Sequence, residues 1–176
     1  MYKFFLSIIL CLTITSLYSQ NRMFSSQNSQ KNVIPVNVSN SVAIENIVYS
    51  QSSVYSSNTA ATNSKMTDGV FAETSQTGTN NTSVEWIKMD LGAITNVNSV
   101  VIGCDFNNVL PGGWGKVYTE NKFVEYSTDN TNWTRVFNTG TFNEGIKTFN
   151  FTFNARYIRI VHSGWLCVTE FYATAN

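Results

Sequence analysis

Few side chains in this sequence can do covalent chemistry. His162 is the single histidine, and beyond residue 19 the only thiols are Cys104 and Cys167. No Gly-x-Ser-x-Gly turn, phosphate-cradling glycine loop or Cys-x-x-Cys spacing occurs, and two cysteines with one histidine make a poor zinc site. The 11 acidic residues fall mostly in turns and at strand edges, so spacing singles out no carboxylate pair for glycoside hydrolysis. An enzyme is not expected. Aromatic rings set among small and polar residues are more telling. Trp114 lies in Leu110-Pro111-Gly112-Gly113-Trp114-Gly115, where flanking glycines either present the ring to a ligand or let it pack onto its own loop. Trp165 closes His162-Ser163-Gly164-Trp165, a short loop between the last two strands. Rings of this kind, with a few polar groups, line binding pockets. Strand-end packing is the alternative for His162 and Trp165. Trp86 and Trp133 are assigned to the core.

The elements that must hold these residues are strands. Short β-branched and aromatic runs separated by Gly, Asn, Asp and Ser clusters predict strands over Val84–Leu91, Val97–Phe106, Phe123–Thr128, Thr134–Asn138, Lys147–Phe153, Tyr157–His162 and Leu166–Ala173. Phe149, Phe151 and Phe153 alternate with polar residues and share one face. No window keeps a helical period. The expectation is an all-β chain whose antiparallel strands close as a β-sandwich or jelly roll. Function in such folds sits in the end loops. Asp129-Asn130 marks a tight hairpin turn, and the longer loops Phe71–Ser83 and Asn107–Asn121 are the candidate ligand loops.

Lys3, the apolar run Phe4–Leu12 and the small residues to Ser19 have the order of a secretory signal peptide. Residues 20–42 read as a polar linker, and 43–176 as the folded domain. The mature chain is then expected to be secreted. Lys plus Arg and Asp plus Glu are 11 each, so the formal net charge is zero and charged residues are only 12% of the chain. That excludes nucleic-acid binding by phosphate neutralisation. Asn, Ser and Thr number 22, 19 and 20, so solubility rests on amides and hydroxyls. In an oxidising compartment the two remaining cysteines predict one disulfide, Cys104 to Cys167. Two separately buried thiols are the alternative.

Six segments then occur in a recognisable order: Ser52-Ser53-Val54-Tyr55, Met66-Thr67-Asp68-Gly69, Trp86-Ile87-Lys88-Met89-Asp90-Leu91-Gly92, Tyr126-Ser127-Thr128-Asp129-Asn130-Thr131-Asn132-Trp133, Ala155-Arg156-Tyr157-Ile158-Arg159-Ile160 and Thr169-Glu170-Phe171. This series resembles coagulation factor V/VIII type C (discoidin) domains from about Ala43 to Ala173, and implies their galactose-binding-like jelly roll. The resemblance implies a binding module for sugars, phospholipid head groups or proteins, in settings such as surface adhesion. It also implies a structural calcium ion held by Asp68 and Glu170, with the Lys65 carbonyl and the Thr74–Ser75 region as further oxygens. The alternative is that Asp68 only makes an Asx turn and Glu170 is a surface charge. Many members staple their termini with a disulfide, and no cysteine lies near Ala43 or after Cys167 to do so here. For a glycan the candidate contacts are Trp114, Trp165 and His162, with hydrogen bonds from Glu73, Gln76, Asn80 or Asn108. Leu110, Trp114 and Lys116 are the candidates for the rival, phospholipid-binding use, which the absence of net positive charge disfavours. Arg159 is expected at a solvated strand position.

Overall fold

The computed structural model describes residues 42–55, 60–71, 77–81, 83–107 and 115–176. The signal-peptide and linker segments expected before residue 42 lie outside them. Among the described residues nine strands occur: β1 (Val42–Ala43), β2 (Val48–Gln51), β3 (Thr77–Gly78), β4 (Val84–Gly103), β5 (Phe123–Ser127), β6 (Thr134–Asn138), β7 (Ile146–Ser163), β8 (Cys167–Val168) and β9 (Glu170–Ala175). A single-turn helix, α1 (Asn63–Met66), is capped by the Thr62 side chain. All strand pairs are antiparallel, in the order β1-β9-β4-β7-β5-β6, with β2 on β4 and a separate β3-β8 ladder. The chain is the expected β-sandwich.

Two pairs of expected strands are in fact single long ones. β4 runs for 20 residues and β7 for 18. Their ladder continues through an irregularity between Asp90/Tyr157 and Thr95/Ala155, where Gly92 turns the chain at φ +78°. The exposed Gly92-Ala93-Ile94 stretch breaks the apolar alternation, which is why the sequence reads as two strands. Side-chain pattern and backbone pairing are separate properties, and a bulge interrupts the first without ending the second.

On both sides of the bend the inward residues meet in one core that includes Ile87, Met89, Val97, Val100, Ile102, Ile158, Ile160 and Phe171. Val42 pairs with Ala175, and Ala175 with Val97, just past the bend. Both ends of the domain therefore sit at the bend pole. The Val84–Ser163 pair and its loops occupy the opposite pole.

Inward and outward faces alternate along β4: Glu85, Ile87, Met89 and Leu91 are buried, while Trp86, Lys88 and Asp90 are half-buried on the outer face. Trp86 is thus not a core residue, and neither is Trp133, which is also half-buried. Their surroundings explain it. Lys88 Nζ stands 4.9 Å from the Trp86 ring centroid and the Arg159 guanidinium 4.0 Å from that of Trp133, contacts that keep a ring at a wet, cationic surface. Arg159 is likewise no solvated side chain, because it donates to Glu125 Oε2 through Nε (2.9 Å) and Nη2 (2.7 Å). Arg135 Nη2 reaches Glu125 Oε1 at 3.3 Å, and Arg156 holds Asp90 through Nε and Nη2.

The expected disulfide is not formed. Cys104 and Cys167 are two buried thiols, which is the alternative reading. Cys104 Sγ is directed to the Glu144 carbonyl, and burial foremost pushes its thiol up to about 12, so the thiolate needed for disulfide exchange is scarce.

Candidate functional site

Three segments meet at the pole of Val84 and Ser163. The first follows β2, where Tyr55 N–H donates to the Gly78 carbonyl at 3.0 Å. The second follows β3, where Thr79 N–H donates to the Leu166 carbonyl at 3.0 Å. The third joins β7 to β8, where Gly164 N–H donates to the Ser83 carbonyl at 3.3 Å. Gly164 adopts φ +123°, and an added Cβ would stand 3.3 Å from Asn81 Oδ1. A side chain at 164 is therefore strained twice over. Its turn brings Trp165 back over the pole.

Trp165 is half-buried. Its ring meets Tyr55 edge-on at 5.2 Å and Tyr118 at 6.3 Å, the arrangement aromatic quadrupoles favour. His162 is half-buried beside it in chain, at the end of β7 opposite Glu85. Burial first, and then the charge of Lys122, hold its imidazole below the usual range, so it is neutral at pH 7 and offers one donor and one acceptor nitrogen. Asn80 N–H donates to Ser53 Oγ at 2.8 Å and its Nδ2 to the Val54 carbonyl at 3.3 Å. The fold thus brings His162 and Trp165, on the β7–β8 segment, to the same pole as Asn80, on the segment after β3. Trp114, Glu73, Thr74, Gln76, Asn108 and Leu110 lie outside the described residues.

Sequence reasoning missed Glu85, Tyr118 and the role of Tyr55. For Glu85 a signal existed: it occupies an inward position of the column Glu85, Ile87, Met89, Leu91, where a carboxylate is out of place. It is 1% exposed and accepts hydrogen bonds from the hydroxyls of Ser52 and Ser53.

Asp68 and Glu170 also come together, through α1 and the turn after it. The helix contacts β9, and the following Asp68-Gly69 turn places Gly69 N–H 2.8 Å from Glu170 Oε1. Gly69 has φ +73°, a conformation costly for other residues. Asp68 does make the Asx turn, accepting from Val70 N–H at 2.7 Å. Glu170, however, is no surface charge, being 1% exposed. Burial foremost, then a hydrogen bond with the Asp68 carboxyl, pushes Glu170 up to about 7. Two carboxyl groups in contact, one of them buried, are a hard-oxygen donor set of the kind calcium takes, and calcium needs six to eight oxygens in all. Lys65 lies in α1, one turn before Asp68. No group of three or more His, Cys, Asp and Glu side chains is assembled for a metal among the described residues, so carbonyls and hydroxyls would have to complete the shell.

The F5/8 type C domain model matches residues 46–173. No curated protein matches the chain. Among solved structures, a fucose binding module of Streptococcus pneumoniae is similar at 19% identity and TM-score 0.63, over 77% of this chain and 96% of that one. The lectin domain of lectinolysin, complexed with Lewis B antigen, is similar at 20% identity and TM-score 0.60, over 74% and 94%. A fucolectin from striped bass (Morone saxatilis) serum is similar at 21% identity and TM-score 0.62, over 79% of this chain and 48% of that one. At these identities the likeness is one of fold.

Proposed function

The chain belongs to the F5/8 type C domain family, and from that premise we propose that it is a secreted, non-catalytic module that binds a neutral glycan at the loop pole. The observation that carries this reading is the Trp165 ring, half-buried against Tyr55 and Tyr118 at the pole where the segments bearing His162 and Asn80 also meet. A sugar ring has an apolar face of C–H groups and a rim of hydroxyls. The aromatic ring packs on the first, and a neutral imidazole and an amide pair with the second without the desolvation cost of a full charge. The similar folds of a fucose binding module and of a lectin domain complexed with Lewis B antigen support the ligand class, as does a formal net charge of zero. Anionic lipid would call for a basic surface.

Calcium is part of the proposal. Asp68 and Glu170 would hold the ion, with the Lys65 carbonyl as a further oxygen and Thr74 as a candidate beyond the described residues. Its role would be structural: a divalent cation neutralises the two carboxylates and ties the Asp68–Gly69 turn to β9.

A glycan array probed with the purified domain is expected to show binding that Trp165→Ala reduces at least tenfold. A silent array together with sedimentation alongside anionic liposomes would replace this reading with the membrane one. Silence in both would point to a protein partner.

A further inference from the structure

The loops at this pole are stitched to one buried carboxyl group. Glu85 sits in β4 at a position whose inward neighbours are Ile87, Met89 and Leu91. A carboxylate there is costly unless hydrogen bonds satisfy it. Ser52 Oγ and Ser53 Oγ both donate to its Oε2, Ser53 at 2.7 Å. Each serine oxygen also accepts from a backbone N–H: Ser52 from Trp86 at 2.9 Å and Ser53 from Asn80 at 2.8 Å. The direction of this chain follows from chemistry. A hydroxyl that accepts from a backbone amide keeps one proton to give, and the carboxyl oxygen takes it. Gln51 closes the far side, its Nε2 donating to the carbonyls of Ser53 (2.6 Å) and Gly78 (3.1 Å), and its Oε1 accepting from Ala61 N–H at 2.8 Å.

We infer that Glu85 is a positioning residue of the ligand site: through Ser53 it holds the segment bearing Tyr55 against the segment bearing Asn80. The inference rests on the glycan-binding reading of that pole. Glu85 is itself too buried to be a contact residue, so its effect reaches a ligand only through the loops. A buried hydrogen bond is costly to leave unmade, and here Glu85 fixes Ser53, the hydroxyl on which the Asn80 segment hangs. Removing it leaves the Ser53 hydroxyl, and with it the Asn80 tie, without the partner that fixes its orientation.

The test compares Glu85→Leu, Glu85→Gln and Ser53→Ala with the wild-type domain. Leucine continues the apolar column, so the fold is expected to persist with a melting temperature within a few degrees of wild type. Affinity for the glycan found on the array is expected to fall about tenfold, a loss in line with one hydrogen bond, with Gln restoring part of it. Ser53→Ala removes the link without touching the core and should weaken binding in the same direction. Amide hydrogen exchange at Asn80, measured without ligand, should quicken at least tenfold in both Glu85→Leu and Ser53→Ala. Unchanged Asn80 exchange, or unchanged affinity in Ser53→Ala, overturns the inference. If the wild-type domain binds no glycan, the function reading fails, and the exchange experiment still decides whether Glu85 holds these loops.

Discussion

Glu125 and Glu170 are both buried carboxylates, 8% and 1% exposed, yet their surroundings are opposite. Glu125 lies between two guanidinium groups, Arg159 at 2.7 Å and Arg135 at 3.3 Å, and Arg159 is backed by the Trp133 ring. Glu170 faces another carboxyl, that of Asp68, and is raised to about 7. The first carboxylate is compensated within the fold and works as a clamp across β5, β6 and β7. The second is met by the Gly69 N–H and by a proton shared with Asp68, the place the proposed calcium ion would take. Burial by itself therefore does not set a buried acid's surroundings; the nearest group does, a guanidinium for Glu125 and a second carboxyl for Glu170.

The contrast can be broken most forcefully at Arg159. Arg159→Ala leaves Glu125 buried beside the half-exposed Arg135, and should cost about 3 kcal/mol, the low end for breaking a buried pair, read by denaturant unfolding. A loss under about 0.5 kcal/mol would mean the clamp is no different from a surface pair. Next in size is the response of the Asp68–Glu170 pair to pH and calcium. A carboxyl raised from 4.5 to about 7 in the folded state contributes stability that is full below pH 4.5 and lost as pH rises through 7. In EDTA the melting temperature should accordingly drop between pH 5 and pH 8. Calcium at a hundredfold excess over its Kd should restore about 2–3 kcal/mol at pH 8 and little at pH 5. A flat EDTA profile, or no calcium effect at pH 8, would remove the asymmetry. Glu170→Gln should be milder: it keeps an acceptor for Gly69 N–H, flattens the pH profile and abolishes the calcium response. The smallest effect is expected for Arg135→Ala, about 0.5 kcal/mol, because that side chain is 56% exposed and its pair is screened.

Much of the fold was legible along the chain. Tyr157-Ile158-Arg159-Ile160 alternates, and Ile158 and Ile160 are indeed fully buried while Arg159 is not. Thr134–Asn138 was bounded correctly. The Asp129 turn formed as its residues imply, with Asn130 at φ +62° and Asp129 accepting from the Thr131 and Asn132 amides. Short strands such as Val48–Gln51 and Thr77–Gly78 were missed, because two to four residues are too few for a period-two pattern to stand out. Trp86 and Trp133 were misplaced because size and apolarity suggest a core, whereas Lys88 and Arg159 give each ring a partner at the surface.

The sequence by itself determined the local matters: which residues alternate inward, where Asp-Gly and Asp-Asn turns fall, and that the chain is all-β with an uncharged polar surface. These follow from side-chain period and backbone preference within a few residues of each position. Only the tertiary structure decided what meets what. Gly69 reaches Glu170 across 101 positions, and Ser53 reaches Glu85 across 32. Such contacts depend on strand register and on loop closure over a shared core, and no short window of sequence carries either.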